Sequence, residues 1–193
     1  MSAQGPQAVL VRHAETEWTL SGQHTGRTDI PLTENGREAA RRLAGPLAQW
    51  RFARVLTSPL RRAVETCELC GLAEHAEREP SLEEWDYGEY EGLTSAEIEQ
   101  RDPGWNLWRD GCPGGEQPAD VGARADRVVA ELLAGPAPVA VFSHGHFLRV
   151  LGARWIELAP AGGERLGLSP GSLSPLGFEH GARILAAWNI VPR

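Results

Sequence analysis

No stretch of this sequence is both long and free of charge, so no transmembrane helix is expected. A basic block is missing too. The formal net charge is −7, which argues against a nucleic-acid or anionic-membrane surface. It leaves a small anionic ligand open, because a few local arginines decide that. Cysteines are sparse: Cys67, Cys70 and Cys112. An odd set, behind an amino terminus that lacks the basic and apolar regions of a secretory leader, predicts reduced thiols and a cytoplasmic setting. Cys67 and Cys70 form a lone C-x-x-C on an expected helix. No second Cys or His pair stands at zinc spacing, so they read as packing residues. The sequence also lacks H-E-x-x-H and G-x-x-x-x-G-K-[ST], and no metal or other cofactor is expected. No repeat, low-complexity tract or linker divides the 193 residues, which are expected to form one domain over 1–193. Met1 to Gln7 reads as a loose lead-in to the first strand.

Two short β-branched runs end in histidine. Val9-Leu10-Val11 leads into Arg12-His13, and Val139-Ala140-Val141-Phe142 leads into Ser143-His144. Each reads as a buried strand that delivers polar residues at its carboxyl end, where ligands collect in open α/β sheets. One such histidine alone would be an ordinary hydrogen-bonded strand-end residue. Two, one directly after an arginine, suggest that the chain brings them together.

Between these runs, Glu15 to Asp29 is polar and aperiodic and reads as a loop placed for ligand contacts. Thr33 is the expected N-cap of a helix with the apolar stripe Ala39, Ala40, Leu43 and Leu47, which Gly45-Pro46 should bend or shorten. Phe52 to Thr57 is a second strand. Ser58-Pro59 is expected to cap a helix running to about Cys70, presenting arginines beside free N–H groups. Leu82 to Gly92 is dense in carboxylates and aromatics. A solvated acidic loop is the plain reading, and a carboxyl group protonated in an apolar setting is the functional one. A short helix is expected over Ser95 to Arg101. Pro103 to Glu116 holds too much glycine and proline for a long element, and its Trp105 and Trp108 are either a pocket wall or a small satellite core. Helices over Val121–Leu133 and Phe147–Leu158 and a hairpin from Leu176–Phe178 and Ile184–Trp188 complete the chain. The alternation predicts the α/β class: a three-layer α/β/α sandwich around a mostly parallel central sheet, with the hairpin antiparallel at one side.

Arg12, His13, Arg62, Glu84 and His144 are the candidate catalytic set. Two arginines and two histidines in one pocket concentrate positive charge, and guanidinium forks match phosphate oxygens. A histidine nitrogen in line with phosphorus would form a phosphohistidine. A carboxylic acid would protonate the leaving oxygen and later take a proton from water.

These motifs resemble those of the histidine phosphatase superfamily, also called phosphoglycerate mutase-like. Arg12-His13-Ala14-Glu15-Thr16 is similar to its Arg-His-Gly nucleophile motif. Ser58 to Thr66 is similar to its second arginine motif, and the resemblance selects Arg62 over Arg61. Leu82 to Gly88 resembles the acid/base motif and selects Glu84 over Glu83, and Ser143-His144-Gly145 matches the second-histidine motif. Ala14 departs from the usual glycine, and its methyl group is expected to tighten the turn and nudge the His13 ring without abolishing activity. Glu17-Trp18, Gly22 to Gly26, Trp105 to Cys112 and His144 to Arg149 resemble a subgroup that includes sedoheptulose-1,7-bisphosphatase and actinobacterial acid phosphatases. That resemblance implies substrate contacts from His24, Thr25, Tyr87 and Arg149.

The expectation is a metal-independent phosphatase that hydrolyses phosphomonoesters, of sugars or of broad range, through a phosphohistidine on His13. Its partner would be a small phosphorylated metabolite, with no nucleic acid or membrane, and a homodimer stays open. Two other readings are a phosphoglycerate mutase and a non-catalytic phospholigand-binding protein. The family's mutases carry a longer segment after the acid motif than Gly88 to Trp105 here.

Overall fold

The computed structural model describes residues 7–192. The expected lead-in before the first strand lies outside the described residues, except for Gln7. Six strands form one sheet: β1 (Ala8–Arg12), β2 (Arg54–Thr57), β3 (Ala76–Arg78), β4 (Val139–Ser143), β5 (Leu173–Glu179) and β6 (Ala182–Leu185), in the order β3-β2-β4-β1-β5-β6. Pairings among β1 to β4 are parallel, and β5 is antiparallel to both β1 and β6. The mostly parallel sheet with an antiparallel hairpin at one side is therefore observed.

Strand periodicity builds the layers. Successive side chains point to opposite faces. Val9, Val11, Ala140 and Phe142 pack in one cluster with Leu43 and Leu47 of helix α2 (Glu34–Leu47) and Cys67 of helix α3 (Arg61–Leu69). Ala8, Leu10, Val139 and Val141 pack in another with Val121, Val128 and Leu132 of helix α6 (Pro118–Ala134) and Leu148, Leu151 and Trp155 of helix α7 (Gly145–Trp155). Helices thus cover both faces. Cys67, Cys70 and Cys112 are free and buried, and burial pushes the Cys67 and Cys112 thiols up to about 12. Cys67 and Cys70 are packing residues, as expected, and Cys112 is buried in the other core cluster. Among the described residues, no helix is long and apolar enough to cross a membrane.

Several local expectations change. The stretch from Glu15 to Asp29 holds a short helix, α1 (Glu17–Ser21), started by a Thr16–Thr19 capping box. One and a half turns are too short to show a hydrophobic period. Thr33 caps α2 as expected, while Pro46 sits in its last turn and the helix ends at Leu47. Ser58 is not the N-cap: α3 starts at Arg61 after Leu60, which makes no side-chain cap bond, and the Ser58 hydroxyl accepts the Leu60 N–H at 3.3 Å and also meets His144. Helix α4 (Ser95–Arg101) falls where expected, and α5 (Leu107–Asp110) is the only helix between Pro103 and Glu116.

The register aligns the strand ends that matter. Arg12 pairs with Ser143 and Thr57 pairs with Phe142. His13, Ser58 and His144 therefore leave β1, β2 and β4 at one level. The turn after His13 is pressed against α2. A Cβ on Gly36 would come within 2.2 Å of the Glu15 carbonyl oxygen. Only glycine allows that approach.

Candidate active site

His13 follows β1 directly, and its backbone N–H donates to the Ser143 carbonyl at 2.9 Å. Its Nδ1 lies 2.8 Å from the Ala14 carbonyl oxygen. A carbonyl only accepts, so Nδ1 carries the proton and Nε2 keeps a bare lone pair. Burial, then Arg62, then Arg12 hold the imidazole well below its ordinary pKa, so the ring is neutral. The Ala14 methyl packs with Leu32 and Ala40 and does not line the cavity. The Ala14 N–H is held by Thr66 Oγ1 at 3.1 Å.

A cavity of about 210 Å³ opens at this point, and Arg12, His13, His24, Thr25, Glu84, Tyr87 and Arg149 all line it. Arg62 and His144 do not. Both are fully buried behind it, with the His13 and His144 ring centroids 5.2 Å apart. Arg62 donates Nε–H to His144 Nδ1 at 3.0 Å, and its terminal nitrogens donate to the carbonyls of Thr25, Gly26 and Thr28. Nε2–H of His144 in turn donates to Ser58 Oγ at 2.7 Å. The carbonyls of the 25–28 loop, which turn inward, claim the guanidinium. Burial and the neighbouring Arg62 push the His144 ring well below its ordinary pKa.

Arg12 faces the cavity. One terminal nitrogen donates to the Leu168 carbonyl, while its buried Nε–H has no acceptor. The guanidinium lies over Gly145, where a Cβ would sit 3.0 Å from Cζ. Burial lowers the pKa of Arg12, offset in part by Glu84.

Glu84 is set by the start of α7. Oε1 accepts N–H from Trp85 at 2.9 Å and Phe147 at 2.7 Å, and Oε2 accepts N–H from His146 at 3.0 Å. The setting is not the plain apolar box expected from the aromatic sequence, because helix-terminal N–H groups need acceptors. A carboxylate offers about four lone-pair sites. With three used, one on Oε2 remains. Arg124 of α6 holds the loop behind it, donating to the carbonyls of Ser81, Glu83 and Glu84 and to Glu116. Nothing in the sequence marked Arg124, because its partners are mostly backbone carbonyls.

The four expected substrate contacts divide. His24 donates Nδ1–H to the Leu93 carbonyl at 2.8 Å. Thr25 uses its hydroxyl on the Gln23 carbonyl. Tyr87 is buried, with its hydroxyl 2.5 Å from His146 Nδ1. Arg149 stacks on Trp108 at 4.5 Å and donates to the Gly163 and Glu164 carbonyls. His146 also lines the cavity, a residue that sequence reasoning quoted within a motif but gave no role. The signal was a second histidine on the first turn of α7. Trp105 and Trp108 wall a neighbouring cavity, as one reading had it, and form no satellite core: Trp108 belongs to the main core and Trp105 packs against it.

Among the described residues no cluster of three or more His, Cys, Asp or Glu side chains is arranged to hold a metal ion. The arrangement provides a neutral histidine nucleophile beside an arginine with a free donor and a carboxylate with one open site. Those parts suit attack on a phosphorus centre.

Comparison with known proteins agrees. Residues 8–191 match the model of the histidine phosphatase superfamily, branch 1. An acid phosphatase of Mycobacterium tuberculosis is 42% identical over 96% of this chain and 93% of its own. A sedoheptulose 1,7-bisphosphatase of Saccharomyces cerevisiae is 34% identical over 79% of this chain and 68% of its own. A solved structure of an open reading frame product of Mycobacterium tuberculosis superposes with a TM-score of 0.92 at 40% identity, covering 96% of this chain and 98% of that one. With His13 and the acid loop lining one cavity of a shared fold, the chain belongs to branch 1 of the histidine phosphatase superfamily.

Proposed function

We propose that this protein is a metal-independent phosphatase that hydrolyses small phosphomonoesters through a phosphohistidine on His13. The observation that carries this reading is the His13 ring. Its proton is fixed on Nδ1, and its Nε2 has no partner among the described residues beside a cavity that Arg12 also lines. Nε2 attacks phosphorus and forms an N–P bond as the ester O–P bond breaks. The leaving oxygen takes a proton from Glu84, delivered from the open site on Oε2. Water then attacks the phosphohistidine, gives its proton to Glu84, and releases phosphate. Arg12 holds the phosphoryl oxygens, and its buried Nε–H, short of an acceptor, supports that role. Arg62, just behind, supplies positive field and, with burial and Arg12, keeps the His13 ring neutral, while the neutral His144 ring packs beside it. His24, Thr25, Tyr87 and Arg149 bound the space for the leaving group. The names of the relatives, an acid phosphatase and a sugar bisphosphatase, support hydrolysis. A single domain and a reducing, cytoplasmic setting fit one continuous sheet and three buried free thiols.

The test is phosphate release from p-nitrophenyl phosphate, sugar phosphates and 3-phosphoglycerate with a chelator present. Turnover should persist with chelator and drop at least about a thousandfold in His13→Ala. Isomerisation of 3-phosphoglycerate faster than phosphate release would instead make it a mutase, and tight phosphate binding without any turnover would make it a binding protein.

A further inference from the structure

A second cavity, of about 280 Å³, adjoins the first, and His24, Ser95 and His146 line both. The indoles of Trp105 and Trp108 wall it, together with Glu99, Asn106 and Glu164. Two carboxylates line this cavity and, among the described residues, no arginine does. Arg149, which lines the first cavity, is tied to the Gly163 and Glu164 carbonyls and to the Trp108 face.

At the junction the two imidazoles lie stacked, with centroids 6.1 Å apart and planes at 22°. Their polarities are opposite. His24 gives its Nδ1 proton to the Leu93 carbonyl, so in the neutral ring Nε2 is a bare acceptor. Tyr87 is buried and its hydroxyl meets His146 Nδ1. A phenol proton without an acceptor is costly in the interior, so Tyr87 donates and His146 carries its own proton on Nε2. One ring accepts and the other donates.

A hydroxyl group does both. A second phosphate only accepts, and would meet the His24 lone pair and two carboxylates. Indole faces suit the C–H surface of a sugar or polyol. We infer that the second cavity receives the neutral, hydroxyl-rich part of a polyol or sugar monophosphate, and that the protein selects such monophosphates over bisphosphates. This rests on the phosphatase reading above for the place of the first phosphate.

The test is calorimetric binding to His13→Ala and, as a second variant, His13→Asn. The ligands are glucose 6-phosphate, fructose 6-phosphate and fructose 1,6-bisphosphate. The sugar monophosphates should bind at least about tenfold more tightly than the bisphosphate. The doubly substituted E99Q/E164Q protein should lose most of that preference by gaining affinity for the bisphosphate. Equal or tighter binding of the bisphosphate would overturn the inference. Turnover of p-nitrophenyl phosphate by the unaltered protein reports separately on the phosphatase reading. If it fails while the binding order holds, the chemistry is wrong and the ligand class stands.

Discussion

Glu84 spends three of its lone-pair sites on backbone N–H groups and keeps one for chemistry. Replacing it by glutamine removes the proton donor and turns an NH2 group towards donors that need an acceptor. If that carboxyl group protonates the leaving oxygen, the loss must depend on how much the leaving group needs a proton. Glu84→Gln should lower kcat/KM for a sugar phosphate by roughly 10²- to 10⁴-fold, and for p-nitrophenyl phosphate, whose phenolate leaves readily, by clearly less. Equal losses on both esters would show that Glu84 only positions α7. The same accounting separates the histidines. His13 keeps a bare Nε2 because its other nitrogen donates to Ala14, whereas His144 has both nitrogens engaged, by Arg62 and Ser58.

At the scale of elements, the acid loop and the start of α7 form one unit, clamped by Arg124 from α6. The Arg124 fork reaches three backbone carbonyls and the Glu116 carboxylate, which also accepts the Asp86 N–H, and it packs 4.5 Å over the Phe147 ring. A lysine cannot copy that planar fork. Arg124→Lys should therefore cost between about 10- and 100-fold in kcat through misplacement of Glu84, with KM little changed. Steady-state kinetics on a sugar phosphate would check this, and a loss confined to KM would refute it.

This element also shows what a sequence can and cannot disclose. β1 and β4 were legible because β-branched runs end abruptly in Arg-His and Ser-His, and α2, α4 and α6 because of period and caps. β3 was not, since Ala76-Glu77-Arg78 is a three-residue polar edge held only by pairing with β2. Ser58 looked like a cap because Ser-Pro commonly starts helices, while its hydroxyl answers to a histidine far along the chain. The catalytic residue types were readable, but the choices of Arg62 and Glu84 came from resemblance. The inward turn of Arg62 depends on carbonyls that no residue name reveals.

Across the whole molecule, three imidazoles are held well below their ordinary pKa: the buried His13 and His144 and the half-buried His146, each by loss of solvent first and by arginines after that. An unfolded chain would protonate them near pH 6.5. As pH falls through about 6.5 the unfolded state takes up protons that the folded state refuses, so stability is full above that value and is lost below it. The loss is up to about 1.4 kcal/mol per pH unit for each histidine until its folded pKa is reached. Urea unfolding should show a lower midpoint near pH 5 than near pH 7.5, and added inorganic phosphate should restore part of it by binding the folded state. A midpoint that does not move over that range would contradict the assignment of neutral rings. The sheet order carries a consequence for synthesis as well. β1, which bears the nucleophile, lies between β4 and β5, whose residues follow much later in the chain, and Gly171 N–H closes on the His13 carbonyl itself. On the ribosome the catalytic strand emerges early and waits, unpaired and apolar, for both of its neighbours. A chain that stops short of β5 leaves one edge of β1 and the His13 carbonyl without their partners.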